Sequence, residues 1–133
     1  MRDSTTGAND RKYFVAEEEG NVIGVIGIKQ PEDTMRAFAA TENPLELVNA
    51  YVSKDQRAGR GVGRALVKSA EDEARSRGNT EIILNSGPRY ETTAWGFYDG
   101  LPGFSRVGVA ENFYGEGTDA PVWSKRLDPQ IPQ

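Results

Sequence analysis

The residues best suited to chemistry in this sequence are glycines and arginines that alternate within one short segment. They are Arg57, Gly59, Arg60, Gly61, Gly63 and Arg64. The segment joins a predicted strand to a predicted helix, and the free N–H groups of a helix N-terminus favour a bound anion. Glycine lets the backbone approach such an anion closely, and guanidinium groups donate paired hydrogen bonds to phosphate oxygens. The segment therefore indicates a phosphate or pyrophosphate site, although a glycine-rich turn with solvated arginines explains the same residues equally well.

Two common phosphate-binding motifs do not fit this segment. A Walker loop would end in Gly-Lys-Ser/Thr, which is absent from residues 57–64. The dinucleotide fingerprint G-x-G-x-x-G has a wider final spacing than the G-x-G-x-G found here, and no acidic residue ends the strand after the helix. The spacing alone therefore leaves the ligand open.

The chain contains neither cysteine nor histidine. Disulfides, thiol nucleophiles, Cys/His zinc sites and an imidazole base are therefore excluded, and we expect no metal in the site. Any proton transfer would fall to Asp, Glu, Tyr, Lys, water or the backbone.

Composition predicts a single soluble domain over residues 1–133. The chain is 37% hydrophobic and 27% charged, which is typical of globular proteins. Its formal net charge of -4 argues against a nucleic-acid partner, because phosphate binding favours a basic surface. No apolar run is long enough to span a membrane, and the polar N-terminus has no secretory signal. We therefore expect a cytoplasmic location without membrane association.

The pattern of apolar residues and breakers predicts a mixed sheet with helices packed on it. Strands are predicted at 13–17, 22–28, 45–53, 80–85, 104–114 and 121–127, with helices at 62–77 and 92–100. In the long helix Val62, Leu66, Ala70 and Ala74 recur every four residues, and Gly78 would end it. Because this helix connects two consecutive strands, those strands should run parallel, whereas the others form hairpins. We expect an α/β fold of the α+β mixed-sheet type.

Two blocks of the sequence resemble the GNAT superfamily of acetyl-CoA-dependent N-acetyltransferases. QRAGRG at 56–61 fits the family's pyrophosphate loop, Q/R-x-x-G-x-G/A, which lies between its fourth strand and a long helix. AWGFYDGLPGF at 94–104 resembles the family's A-x-x-F/L-Y-x-x-x-G-F block, with Pro102 as an extra residue. The resemblance implies a central mixed sheet flanked by helices, with the usual N-terminal strand and helices shortened or missing before the hairpin at 13–28.

The resemblance also implies where acetyl-CoA would bind. Pantetheine would pair with the edge of the strand at 45–53, and a backbone N–H near Tyr51 or Val52 would bind the oxyanion. Asn85 would either hydrogen-bond the pantetheine amides or cap a loop. The full set of predicted cofactor-binding residues is Tyr51, Val52, Arg57, Ala58, Gly59, Arg60, Gly61, Val62, Gly63, Arg64, Asn85 and Tyr98.

Two residues are predicted to act when an amine attacks the thioester directly. Tyr98 resembles the family's tyrosine near the thioester sulfur, which implies a proton donor to the leaving thiolate. Glu46 resembles the catalytic glutamate of the histone-acetylating branch, and strand alternation would place it on one face with every second residue as far as Val52. The alternative role of Tyr98 is that of a core aromatic, and the alternative role of Glu46 is that of an exposed carboxylate at the start of a strand. Weaker base candidates are Glu91, Asp99 and Glu111.

The sequence leaves two rival functions and predicts an assembly. One rival is a phosphate- or nucleotide-binding module unrelated to coenzyme A. A catalytically silent GNAT-like subunit that binds or senses acyl-CoA would keep the glycine-arginine segment without a competent amine site. The apolar second strand of the hairpin at 13–28 would be exposed, so we expect a homodimer formed through this hairpin or the C-terminal strands. Residues 1–11 and 128–133 are expected to be flexible. The acceptor amine is not identified by the sequence.

Overall fold

A computed structural model of the chain describes residues 2–5, 11–53 and 61–127. Seven strands and three α-helices lie within this part. The strands are β1 Arg2–Thr5, β2 Lys12–Glu18, β3 Asn21–Lys29, β4 Pro44–Val52, β5 Glu81–Asn85, β6 Ser105–Ala110 and β7 Ala120–Arg126. The helices are α1 Asp33–Arg36, α2 Val62–Ser76 and α3 Ala94–Asp99, and a 3-10 helix covers Pro88–Tyr90.

All seven strands form one sheet in the order β1-β2-β3-β4-β5-β7-β6. β4 and β5 are parallel and are connected by α2, as the crossover pattern predicts, while the other neighbours are antiparallel. The predicted α/β fold with a mixed sheet and flanking helices is therefore confirmed. β1 lies in the segment expected to be flexible, yet it pairs with β2 from Arg2↔Val15 to Thr5↔Lys12 and supplies a short first strand that the sequence pattern does not indicate.

The position of β3 corrects the reason for expecting a dimer. β3 lies between β2 and β4, and its Ile26 and Ile28 are fully buried. The apolar second strand of the hairpin is therefore covered by the chain itself. The edges of the sheet are β1 and β6, and Val107 and Val109 on β6 are about half exposed.

Different helices cover the two faces of the sheet. α2 and α3 pack on one face, where the larger apolar core includes Leu47, Leu66 and Trp123. On the other face, Met35 of α1 packs with Ile83 in a smaller cluster. The strands β4 and β5 lie between these two layers, so side chains from both layers can approach any gap between them.

The long helix α2 ends one residue before its predicted boundary. Leu66, Ala70 and Ala74 are buried, which confirms the four-residue apolar spacing. Gly78 follows the helix with φ +83, a left-handed conformation that favours glycine. Gly61 precedes it with φ +72, and no described atom beyond its chain neighbours lies within 4 Å of where a Cβ would stand. Among the described residues, nothing therefore covers Gly61 at the N-terminus of α2, and residues 54–60 before it lie outside the described part.

One buried carboxylate in the sheet is structural. Glu81 on β5 accepts hydrogen bonds from Ser124 Oγ at 2.5 Å, Ala40 N at 2.9 Å and Thr41 N at 2.8 Å. Burial by itself raises the pKa of this carboxyl, but the hydrogen bonds together hold the pKa below its ordinary value. The ionised carboxylate therefore fastens the loop before β4 to the centre of the sheet.

Candidate active site

The strands β4 and β5 diverge after three paired residues. Their described register runs from Pro44↔Glu81 to Glu46↔Ile83 and ends there. A cavity of about 510 Å³ opens at this split, between β4, the end of β5, α3 and the β6–β7 loop. It is lined by Glu46, Leu47, Val48, Asn49, Ala50, Leu84, Asn85, Ser86, Gly87, Pro88, Arg89, Tyr90, Ala94, Tyr98, Tyr114 and Thr118.

A β-bulge redirects the side chains of β4 beside the cavity. The register between β3 and β4 shifts next to Asn49, whose φ of +54 is left-handed, and β4 gains one residue over β3 at this step. As a result Leu47 and Val52, five positions apart, both pack with the core on the α2 side. The predicted common face of Glu46 and Val52 is therefore wrong, because strand alternation is interrupted between them.

Glu46 is a buried carboxylate in the wall of the cavity. It is 4% exposed, and its Oε1 atom has no hydrogen-bond partner among the described residues. Burial raises the pKa of Glu46, and the charge of Lys29, whose Nζ lies 3.9 Å from Oε1, opposes this only in part. A carboxylate with a raised pKa, and with an oxygen that accepts no hydrogen bond from the described residues, is suited to accept a proton. The alternative of an exposed carboxylate does not describe this residue.

Tyr98 reaches the same cavity from α3, on the face of the sheet opposite Lys29 and α1. Its ring packs on Trp123, with the ring centroids 5.3 Å apart. Burial, and then the neighbouring phenols of Tyr114 and Tyr90, raise the pKa of Tyr98 to about 12. The hydroxyl group therefore stays protonated in the physiological range and can donate a hydrogen bond into the cavity.

Asn85 also lines the cavity, but its amide is engaged within the chain. The Tyr114 hydroxyl donates a hydrogen bond to Asn85 Oδ1 at 2.5 Å, and Asn85 Nδ2 lies 3.3 Å from Met35 Sδ. Asn85 thus holds the β6–β7 loop, which agrees with loop capping as its role. Binding of pantetheine by Asn85 stays a prediction.

The other predicted cofactor-binding residues either do not line the cavity or lie outside the described part of the chain. Tyr51 and Val52 follow the bulge, and neither lines the cavity, so the use of their backbone N–H groups stays a prediction. Four residues form the N-terminal turn of α2: Gly61, Val62, Gly63 and Arg64. The remaining four lie outside the described residues: Arg57, Ala58, Gly59 and Arg60.

Sequence reasoning missed two phenols that line the cavity beside Tyr98. Tyr90 stands on the 3-10 helix after β5, and Tyr114 stands in the β6–β7 loop. A Cβ at Gly87 would lie 3.3 Å from the Tyr114 ring, so this loop rests directly on the segment after β5. No motif marks either residue. The sequence feature that could have indicated them is an aromatic residue within an otherwise polar loop.

The weaker base candidates do not line the cavity. They are Glu91, Asp99 and Glu111. Asp99 accepts two hydrogen bonds from Arg106, each 2.9 Å long, so its carboxylate is already engaged. Of the four predicted base candidates, Glu46 is therefore the one that lines the cavity.

Two further kinds of site are not found in residues 2–5, 11–53 and 61–127. The described acidic residues form no group of three that could ligate a metal ion. None of the described helices has the length and apolar character needed to cross a bilayer.

These features together define a class of protein. A mixed sheet whose parallel central strands are connected by a helix and split over a cavity is the arrangement of a GNAT acetyltransferase domain. The family model of the acetyltransferase (GNAT) family matches residues 1–104. The chain therefore belongs to the GNAT family, as the two sequence blocks predicted.

Two human proteins are similar to this chain over most of its length. N-acetyltransferase 8B of Homo sapiens is 31% identical over 117 residues, which cover 87% of this chain and 44% of that protein. N-acetyltransferase 8 of Homo sapiens is 32% identical over 97 residues, which cover 72% of this chain and 39% of that protein. The chain thus spans about two fifths of the length of these curated relatives.

Solved structures share the fold at lower identity. An aminoglycoside 6'-N-acetyltransferase complexed with coenzyme A has a TM-score of 0.70 at 21% identity, and the match covers 95% of this chain and 77% of that chain. A GNAT family acetyltransferase from Elizabethkingia anophelis with acetyl-CoA bound has a TM-score of 0.66 at 16% identity, covering 88% and 76%. At these identities the likeness establishes the fold.

Proposed function

We propose that this domain transfers an acetyl group from acetyl-CoA to a primary amine by direct attack. The observation that supports this most strongly is that Glu46 and Tyr98 line one cavity from opposite faces of the sheet. Membership of the GNAT family supports the same reaction. So do the names of the relatives, which are N-acetyltransferases, and the titles of two structural neighbours, which contain coenzyme A or acetyl-CoA.

The two residues would take complementary parts in the reaction. Glu46 accepts a proton from the ammonium form of the acceptor, which frees the nitrogen lone pair to attack the thioester carbonyl carbon. The C–N bond forms, the C–S bond breaks, and its electron pair stays on sulfur. Tyr98, which is protonated in this pH range, donates its hydroxyl hydrogen to the leaving sulfur, and the resulting phenolate takes up the second proton that the nitrogen loses as the amide forms.

The described residues fit an extended acyl-CoA. Beyond Glu46 the edge of β4 is no longer paired with β5, which leaves room for pantetheine to lie along the strand. The first turn of α2 leaves N–H groups without intrahelical partners, and no described side chain stands over Gly61 to keep a phosphate from them. This supports a pyrophosphate at the N-terminus of α2.

Gly61→Asp is expected to weaken coenzyme A binding at least about tenfold, because a carboxylate would stand where a phosphate should lie. Isothermal titration calorimetry with coenzyme A measures the change. Gly78→Asp is a matched control at the other end of α2, since both glycines have positive φ and open surroundings. The helix dipole stabilises an aspartate at position 61 and destabilises one at position 78. Gly61→Asp should therefore be the more stable of the two variants, although it should bind coenzyme A more weakly.

A titration with acetyl-CoA, combined with a thiol-release assay, separates the proposed function from the silent subunit. Binding of acetyl-CoA followed by thiol release with a panel of primary amines supports catalysis. Binding without release for any amine would instead support the silent acyl-CoA-binding subunit. Unchanged coenzyme A affinity in Gly61→Asp would place the pyrophosphate elsewhere.

We also propose a homodimer, now through the edge strand β6 rather than the hairpin. β6 is an edge of the sheet and exposes Val107 and Val109, and an unprotected edge strand favours pairing with a second copy. Sedimentation equilibrium at micromolar concentration should give about twice 14.6 kDa for the wild type. Val109→Lys, which charges the edge, should shift the mass towards the monomer. A wild type that sediments as a monomer would contradict the proposal.

A further inference from the structure

We propose that Arg106 is a positioning residue for Tyr98, which it orients through Asp99 and two tryptophans. This inference rests on the proposed acetyl transfer, in which Tyr98 acts on the leaving sulfur. We call Trp95, Asp99, Arg106 and Trp123 the clamp. None of these four residues lines the cavity, so the clamp would act on the reaction only through Tyr98, which does.

The helix that carries Tyr98 cannot hold its orientation alone. α3 has six residues, and its N-cap Thr93 makes no side-chain hydrogen bond to the first turn. Isolated helices of this length are unstable, because few hydrogen bonds repay the cost of nucleation. The direction of the Tyr98 hydroxyl therefore depends on contacts between α3 and the sheet.

The clamp supplies these contacts at the C-terminal end of α3. Arg106 on β6 donates two hydrogen bonds to Asp99, from Nε to Oδ1 and from Nη2 to Oδ2, both 2.9 Å. Trp123 Nε1 on β7 donates a third, also 2.9 Å, to Asp99 Oδ1. The pKa of Asp99 is held low, first by the hydrogen bond from Arg106 and then by that from Trp123. The fork-shaped guanidinium fixes both the position and the plane of the carboxylate.

The same guanidinium joins the two ends of α3. Its central carbon lies 5.3 Å from the Trp95 ring and 5.0 Å from the Trp123 ring. Trp95 Nε1 in turn donates to the carbonyl oxygens of Ser86 and Gly87, both at 3.2 Å, in the segment that lines the cavity. Trp95 and Asp99 are thus both fixed to the sheet, one at each end of the helix.

Tyr98 is the residue on which these contacts converge. It precedes Asp99 in the chain, and its ring packs 5.3 Å from that of Trp123. Adjacent helical side chains point about 100° apart, so a clamp on Asp99 at the outer surface sets the direction of Tyr98 towards the cavity. Loosening the clamp should misplace the hydroxyl group without altering the segment that would hold pyrophosphate.

Arg106→Lys tests this, since it keeps the charge but loses the paired hydrogen bonds and the stacking. We expect kcat to fall about 10- to 100-fold, with the KM for acetyl-CoA changed less than about twofold. Asp99→Asn should behave similarly. Arg126→Lys, an exposed arginine at the end of β7, is the control and should leave kcat unchanged.

A double-mutant cycle distinguishes positioning from general stabilisation. In a Tyr98→Phe background, Arg106→Lys should have almost no further effect on kcat, because the group that it orients is already gone. Equal losses in both backgrounds, or an unchanged kcat in Arg106→Lys alone, would overturn the proposal.

A spectroscopic readout keeps the inference testable if the wild type shows no acetyl transfer. With 13C-labelled tyrosine, the NMR signal of Tyr98 is assigned as the one missing from Tyr98→Phe. It should shift in Arg106→Lys and stay in place in Arg126→Lys. An absent activity with a shifted signal would reject the proposed function alone, whereas an unshifted signal would reject the clamp.

Discussion

Tyr98→Phe is expected to lower kcat by about 10- to 1,000-fold while changing the KM for acetyl-CoA much less. The variant loses one hydroxyl group and keeps the ring that packs on Trp123. A contact that strengthens only as negative charge develops on sulfur affects the transition state more than binding. Steady-state kinetics with a thiol-release assay measures both parameters.

Tyr114→Phe and Tyr90→Phe are the matched controls for this prediction. Both remove a hydroxyl group from the lining of the same cavity. If Tyr98 is the donor, its variant should lose far more of kcat than either control. Wild-type turnover in Tyr98→Phe would reduce this residue to the core aromatic considered as its alternative role.

Glu46→Gln is expected to lower kcat by about 100-fold or more, because the amide cannot accept the proton of the ammonium group. The pH dependence follows from the raised pKa of Glu46. In the wild type the rate should fall as the pH drops through this raised pKa, since the protonated carboxyl is no longer a base. This acidic limb should be absent from the profile of the variant. An unchanged profile would remove Glu46 as the base.

The same substitution should stabilise the folded domain at neutral and alkaline pH. Because the folded-state pKa of Glu46 is raised, ionised Glu46 costs free energy of folding above that pKa. The variant should therefore melt at a higher temperature than the wild type at pH 8. The gain should disappear below about pH 4, where the carboxyl is protonated in both states. Thermal unfolding monitored by circular dichroism across this range measures the effect.

Glu81→Gln is a control for which the expected change in stability has the opposite sign. Glu81 is also buried, but its hydrogen bonds lower its folded-state pKa, so the ionised form stabilises the fold above the unfolded-state value. That contribution is lost as the pH falls through the folded-state pKa. Glu81→Gln should therefore be destabilised at pH 8 and approach the wild type in acid. A loss of stability in Glu46→Gln at pH 8 would indicate a structural carboxylate there as well.

The elements that the sequence predicts well are those whose signal is local. The spacing of Leu66, Ala70 and Ala74 reports the buried face of α2, because residues four apart share one side of a helix. Gly78 marks its end, since a left-handed residue is required there. The two family blocks likewise consist of neighbouring residues, so they indicate the GNAT family without any contact between distant parts of the chain.

The site depended on contacts between residues distant in the chain. The bulge at Asn49 arises from pairing with β3, and it reversed the side-chain alternation that the sequence alone would assume. Tyr114 reaches the cavity because it bonds to Asn85, twenty-nine positions away. The sequence by itself determined the class of fold and the family, and it offered Glu46 and Tyr98 as candidate site residues. Tertiary structure alone decided that both line one cavity, because burial and facing direction are set by packing across the sheet.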